Sequence, residues 1–115
     1  MNFDKLAEDL CLDKEEYTDL IELFIDTSLS DLDKLMAAIK DGDSGSAERA
    51  AHSIKGAAAS LGLTEISNEA GKIENAAKSG ALWIQMDSIN EFATMLGKKI
   101  NEIGDDFNTY KNSAL

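Results

Sequence analysis

The most constraining feature of this 115-residue sequence is an apolar series near its C-terminus. The series alternates steps of four and three residues: Ile89, Ala93, Leu96, Ile100, Ile103, Phe107 and Tyr110. Residues at these steps share one face of an α-helix, so the series predicts a long helix with a seam for antiparallel neighbours. The chain has no proline, and no stretch alternates with the period of two that is typical of a β-strand. An all-α fold is therefore expected.

Four earlier segments are also predicted to be helical. They cover about residues 3–10, 14–40, 46–61 and 64–79, and the C-terminal helix is expected to begin between Leu82 and Asp87. Asp13 and Glu16 form a capping-box-like start for the second segment, and Ser44, Ser46 and Thr64 are candidate N-caps for later ones.

Short connections make successive helices antiparallel. We therefore predict an up-down-up-down four-helix bundle with a short extra N-terminal helix, as a single domain over residues 1–115. Two of the four bundle helices are much longer than the others, so one end of the bundle should protrude. The segment from Asn108 is expected to fray.

Charge and cysteine content exclude several classes of partner. The formal net charge is −11, with 22 acidic against 11 basic residues, so nucleic acid and anionic membranes would repel the chain. No apolar stretch approaches the roughly 18 residues of a membrane span, and the N-terminus has no signal peptide. The single Cys11 fits a reducing cytoplasm, and its place between Leu10 and Leu12 suggests a small packing residue.

His52, the only histidine, lies opposite the apolar stripe of its helix. That stripe occupies a sector of about 120° and consists of Ala47, Ala50, Ala51, Ile54, Ala57, Ala58 and Leu61. The imidazole should therefore face solvent, with Lys55 one turn later. Gly56 costs its helix roughly 1 kcal/mol relative to alanine. Because Gly56 also lies opposite the stripe, access to the ring explains it better than helix packing.

The run Ala-His-Ser-Ile-Lys-Gly-Ala-Ala-Ala-Ser-Leu-Gly, residues 51–62, resembles the histidine-containing phosphotransfer (HPt) domain family. The resemblance covers essentially the whole chain, and residues 70–74 look like the family segment that brings Glu or Gln beside the histidine. It implies that His52 is the phosphoacceptor. Lys55, one helical turn later, can meet the phosphoryl oxygens as a point charge, and a plain surface lysine is the alternative. Glu74 would accept a hydrogen bond from the imidazole and fix its tautomer, although an ordinary exposed glutamate is the alternative.

The resemblance also implies partners. The phosphoryl group would come from, or go to, aspartates of response-regulator receiver domains or a hybrid histidine kinase, and the receiver would supply Mg²⁺. The sequence has neither a phosphate-binding loop nor a kinase signature. We therefore expect a monomeric phosphoryl carrier with no cofactor of its own, not an enzyme.

Other readings of the sequence are weaker. A carboxylate-bridged metal bundle needs Glu-x-x-His on two helices, which one histidine cannot provide. A Ser-His-Asp hydrolase needs a nucleophile elbow, and the sequence has none. Two alternatives stay open: an HPt domain excised from a hybrid or chemotaxis-type kinase, and a helical interaction module that transfers nothing. The methionine start and the complete bundle favour a free-standing carrier. Arg49, Lys72 and Lys78 are interpreted as solvated surface charges.

Overall fold

Five helices make up the part of the chain that the computed structural model describes. This part is residues 2–80 and 86–113, without the side chains of residues 86–88 and 113. The helices are α1 Phe3–Asp9, α2 Lys14–Asp41, α3 Ser44–Ser60, α4 Thr64–Lys78 and α5 Met86–Ser113. Met86 lies within the range expected for the start of the last helix, and residues 81–85 lie outside the described residues. Helix α5 continues to Ser113, past Asn108, the residue from which fraying is expected.

Local capping sets most of these helix starts. Asp13 and Glu16 form the predicted capping box: the Glu16 amide donates to Asp13 Oδ1 at 2.8 Å, and the Asp13 amide donates to Glu16 Oε1 at 3.2 Å. The serine caps expected for α3 are wrong, because the Asp43 carboxylate accepts from the Ser46 amide at 3.1 Å. Thr64 is not a cap either, since the N-cap position of α4 is Leu63.

The four longer helices pack in a closed ring, α2–α3–α4–α5–α2, and α1 lies against α2. Contacts between α2 and α5 show that these neighbours are antiparallel. Leu32 lies beside Gly97, Ile25 lies beside Gly104, and Glu22 pairs with Lys111, so residue numbers rise on α5 as they fall on α2. The all-α, up-down-up-down bundle with a short N-terminal helix is confirmed.

The bundle protrudes at one end, as its helix lengths predict. Helices α2 and α5 have 28 residues each, whereas α3 has 17 and α4 has 15. At 1.5 Å per residue the long pair extends roughly 17–20 Å beyond the short pair. The four rings of Phe3, Tyr17, Phe107 and Tyr110 cluster at this end, with centroids 5.2–6.5 Å apart. We call this cluster the aromatic end.

One apolar core runs along the bundle axis between the helices. Its largest fully buried members include Ile21, Leu35, Ile54, Ile73 and Leu96. Cys11, expected to be a small packing residue, is instead exposed in a left-handed turn at φ 58°. The apolar side chain of Leu20 is 40% exposed. None of the described helices combines the length and apolarity that crossing a bilayer would require.

Candidate functional site

The two faces of α3 differ sharply, and this difference places His52 outside the bundle. The inner face carries Ala47, Ala51, Ile54 and Ala58, all with no exposed surface. Because most of these side chains are small, α3 lies close against its neighbours, and its outer face points to solvent. The His52 side chain on that face is 68% exposed. A large partner can therefore reach the ring directly.

Gly56 leaves open space one turn after His52. No heavy atom lies within 4 Å of the position that a Cβ at residue 56 would take. Helix packing therefore does not require glycine here. A long side chain at this position would instead extend over the surface next to the ring, which agrees with the access role predicted from the sequence.

Glu74 on α4 reaches across to the imidazole. Its Oε2 atom lies 2.5 Å from His52 Nδ1, and its side chain is only 2% exposed. The contact that the family resemblance implied is therefore present, and the alternative of an ordinary exposed glutamate is wrong. Glu74 lies beside buried Ile73 and Ala77 on α4.

Two lysines surround the other oxygen of the same carboxylate. Lys55 Nζ lies 2.6 Å from Glu74 Oε1, and Lys78 Nζ lies 3.8 Å from it. The hydrogen bond from Lys55 is the main reason that the pKa of Glu74 is lowered; burial opposes this effect, and the bond to His52 adds to it. Glu74 is therefore an ionised carboxylate at neutral pH.

The charge on Glu74 determines the tautomer of His52. An ionised carboxylate can only accept hydrogen bonds, so the short contact requires a proton on His52 Nδ1. The neutral ring then has its lone pair on Nε2, on the far side of the imidazole from Glu74. The exposed nitrogen is thus the nucleophilic one.

The side chain of Lys55, which belongs to α3, lies across the surface of α4. A Cβ at Gly71 would stand 3.5 Å from Lys55 Cδ, so the small residue on α4 gives the lysine stem a place to lie. The sequence predicted that Lys55 faces the phosphoryl oxygens, whereas the structure places its ammonium group on Glu74. Gly71 was not singled out from the sequence, although a glycine inside a helix was the available signal.

A shallow concavity beside the ring collects further charged groups. Glu48, Arg49, His52, Ser53 and Lys78 line it. Lys78 was interpreted as a solvated charge, but the structure brings it to both Glu74 and this concavity. In the described part of the chain, no three His, Cys, Asp or Glu side chains are grouped in a way that could hold a metal ion.

Comparison with known proteins identifies the family and the fold of this chain. The sequence profile described as "Hpt domain" matches residues 19–102, well over half of the chain. This chain therefore belongs to the Hpt domain family. It is a histidine phosphotransfer protein of phosphorelay signalling, a phosphocarrier.

A solved structure shares the fold. The crystal structure of histidine-containing phosphotransfer protein B (HptB) from Pseudomonas aeruginosa PAO1 aligns with a TM-score of 0.81 and 22% sequence identity. The alignment covers 96% of this chain and 90% of that one. At this identity the likeness demonstrates the fold alone. A search of curated protein sequences gave no significant match.

Proposed function

We propose that His52 Nε2 is the atom that accepts the phosphoryl group and exchanges it with aspartates of response-regulator receiver domains. The observation that carries this proposal is the bond from His52 Nδ1 to the buried, ionised Glu74. This bond fixes the ring by its inner nitrogen and directs the lone pair of the outer nitrogen toward solvent. A receiver can then place its phosphoaspartate in line with Nε2.

The transfer step requires no proton transfer within this chain. The Nε2 lone pair attacks the phosphorus of an aspartyl phosphate, an N–P bond forms, and the P–O bond breaks as the aspartate carboxylate leaves with the electron pair. Nδ1 keeps its proton, so the product is a phosphoimidazolium ring beside the Glu74 carboxylate. The opposite charge of Glu74 stabilises that ring. The reverse reaction restores the neutral ring with its Nε2 lone pair.

The residues of this chain position and stabilise the ring, and the remaining groups are assigned to the partner. We expect the receiver domain to contribute the Mg²⁺, with no cofactor held by this chain. The donor is a receiver domain or a hybrid histidine kinase, which removes the need for a nucleotide site here. We place this carrier in the cytoplasm as a monomer, in keeping with its single cysteine and its strongly acidic composition.

An exposed pair of leucines on α2 suits the binding of a receiver domain. Leu20 is 40% and Leu23 is 60% exposed, and helical spacing places Leu20 on the same flank of α2 as Asp31. Asp31 on the same flank accepts a hydrogen bond from Ser53, the neighbour of His52, at 2.7 Å. Along the α2–α3 face, Leu23 is therefore about two and Leu20 about three helical turns from the level of the ring. We propose that the receiver packs on this face.

Incubation with a receiver domain charged by acetyl phosphate tests the assignment of His52. The wild-type chain should take up acid-labile phosphate, and His52→Gln should take up none while its helical circular dichroism stays unchanged. Phosphate uptake by the folded His52→Gln variant would show that another residue is the acceptor.

A second comparison tests the docking face. Leu23→Asp should weaken the binding of the receiver, measured by calorimetry, while the NMR spectrum of the His52 ring stays unchanged. Met95→Asp is the matched control, since Met95 is 45% exposed on α5 and α5 does not border α3. Equal affinities for Leu23→Asp and Met95→Asp would contradict the proposed face.

A further inference from the structure

The two lysines near Glu74 are held very differently. Lys55 Nζ donates a short hydrogen bond to Glu74 Oε1 at 2.6 Å, and its side chain is 36% exposed. Lys78 Nζ is 3.8 Å from the same oxygen, beyond the roughly 3.2 Å of a normal hydrogen bond, and its side chain is 54% exposed. Lys55 is thus fixed on the carboxylate, whereas Lys78 is only loosely attracted to it.

The antiparallel register of α3 and α4 puts these lysines on opposite sides of the ring. Glu74 lies across from His52, and Gly71, one turn earlier on α4, lies across from Lys55. Lys78 is one turn later on α4, so it comes level with the turn of α3 that precedes His52. There it lines the concavity beside the ring.

We propose that Lys78, and not Lys55, contacts the phosphoryl oxygens when the phosphoryl group is on His52. Lys55 stays on Glu74 and acts as a positioning residue. This inference rests on the proposed function and assigns the cation that the phosphorylated site requires. It also revises the expectation from the sequence, in which Lys55 meets the phosphoryl group and Lys78 is only a surface charge.

The energetics of the unphosphorylated site favour this division. If Lys55 moved to the phosphoryl group, it would break a charge-assisted bond and leave a 2% exposed carboxylate without its main cation. This loss is unfavourable because the carboxylate that stays behind is buried. Lys78 loses little by moving, because its attraction to Glu74 is longer and partly screened by solvent.

The other charged groups around the concavity leave this task to Lys78. Arg49 donates to Ser46 Oγ at 3.1 Å, and Ser46 is in turn bonded to the Asp43 cap of α3, so the guanidinium is directed away from the ring. Glu48 lines the same concavity and would repel a phosphoryl group. A neighbouring cation is therefore needed to offset the carboxylate as well as the incoming negative charge.

Four variants and two measurements test this assignment. The first measurement is the rate of phosphoryl transfer from a receiver charged with acetyl phosphate. The second is the tautomer of the His52 ring, read from its ¹⁵N chemical shifts by NMR. The variants are Lys78→Ala, Lys78→Arg, Lys55→Ala and, as the control, Lys72→Ala. Lys72 is on the same helix with similar exposure, but it pairs with Glu69 at 3.1 Å.

We expect Lys78→Ala to transfer the phosphoryl group about tenfold more slowly than the wild type. Loss of an enclosed hydrogen-bond donor slows a reaction roughly 100-fold, and the effect is smaller here because Lys78 is half exposed. Its ring tautomer should match the wild type, and Lys78→Arg should restore most of the rate. Lys55→Ala should instead disturb the tautomer, because it loosens Glu74. Lys72→Ala should behave as wild type in both measurements.

Two results would overturn the assignment of Lys78. One is a wild-type transfer rate in Lys78→Ala. The other is a tautomer change in Lys78→Ala as large as that in Lys55→Ala, which would mean that Lys78 acts through Glu74. Failure of the proposed function itself is distinct from both, since the wild-type chain would then take up no phosphate from the receiver.

Discussion

The His52 site and the aromatic end both contain a buried polar side chain, but the pKa of that side chain shifts in opposite directions in the two regions. At the aromatic end, burial raises the pKa of Tyr17 to about 12, so its hydroxyl stays neutral and donates to the Leu61 carbonyl at 3.3 Å. At the site, the pKa of Glu74 is lowered despite burial, because Lys55 and His52 donate to the carboxylate. Partners, not burial alone, decide whether a buried group is charged.

Within this small bundle, the aromatic end contributes mainly to stability and the His52 site contributes to the chemistry of transfer. The aromatic end holds α1, α2 and α5 together by ring packing, with Tyr110 bonded to Asp4 at 2.6 Å. The site holds α3 and α4 together through a charged network, made of His52, Lys55, Glu74 and Lys78, that also fixes the tautomer of the imidazole. Changes at the first region should affect folding, and changes at the second should affect transfer.

The largest loss of stability should follow Phe107→Ala at the aromatic end. Phe107 is 1% exposed and packs edge-on against Phe3 at 5.7 Å. Truncation of such a ring lowers the free energy of unfolding by about 3–4 kcal/mol, which urea denaturation measures. The molecules that remain folded should still transfer phosphate at the wild-type rate. A slower transfer in the folded variant would show that the two regions are coupled.

Glu74→Ala should have the second largest effect, and it should affect both stability and transfer. The change leaves Lys55 without its carboxylate and Nδ1 of His52 without its acceptor, with a loss of about 1–3 kcal/mol in urea denaturation. Transfer should slow, and the ring should populate both tautomers by NMR. Glu65→Ala is the control, because Glu65 is 85% exposed on the same helix and should cost less than about 0.5 kcal/mol. A single unchanged tautomer in Glu74→Ala would disprove the orienting role.

The two regions should also differ in which extreme of pH weakens them. The unfolded chain takes up a proton at Glu74 near the ordinary value of 4.5, whereas the folded chain does so only at lower pH. The stability from Glu74 is therefore present above about pH 4.5 and is lost as the pH falls through the folded pKa. Tyr17 has a raised pKa, so its contribution is present below pH 10 and is lost as the pH rises through about 12.

Urea midpoints measured across pH in two variants check this difference. The wild type should lose more stability than Glu74→Gln between pH 7 and about pH 3.5, because the amide has no proton to bind. Tyr17→Phe should lose less stability than the wild type between about pH 10 and pH 12. Parallel acid profiles for the wild type and Glu74→Gln would mean that the charge of Glu74 does not stabilise the fold.

The smallest change in stability, and a large change in transfer, should follow Gly56→Leu. Leucine is the better helix former, so the free energy of unfolding should rise by up to roughly 0.8 kcal/mol. Transfer should slow severely, because the side chain extends over the surface that the receiver must approach. Gly56→Ala is the matched control and should keep its rate, since a Cβ here meets nothing within 4 Å. Wild-type transfer by Gly56→Leu would remove the access argument.

The sequence predicted the helices well because their signal is periodic and local. The apolar series from Ile89 to Tyr110 follows the buried side of α5, and the Asp13–Glu16 capping box begins α2 as expected. The predictions were wrong where more than one local conformation or capping residue was possible at a position. Asp43 takes the cap that the nearby serines could have provided, and Cys11 adopts a left-handed turn between two leucines.

The site was only partly predictable for a different reason. The outward direction of His52 follows from the wheel of its own helix, and its pairing with Glu74 followed from the family resemblance. The contacts of Lys55 and Lys78 depend on the register between α3 and α4, and helical periodicity carries no information about register. Helical periodicity also does not reveal the exposure of Leu20, an apolar residue that lies on an exposed flank of α2.

The pairing of α3 with α4 has a consequence for how the molecule assembles. His52, Lys55, Glu74 and Lys78 all belong to two helices that are adjacent in the chain and joined at Leu61, Gly62 and Leu63. The loop closed between them is short, so its entropy cost is small compared with that of joining α2 to α5. Contacts of such low sequence separation form quickly. We therefore expect the charged network to assemble within one helical hairpin, before the distant ends of the chain meet at the aromatic rings.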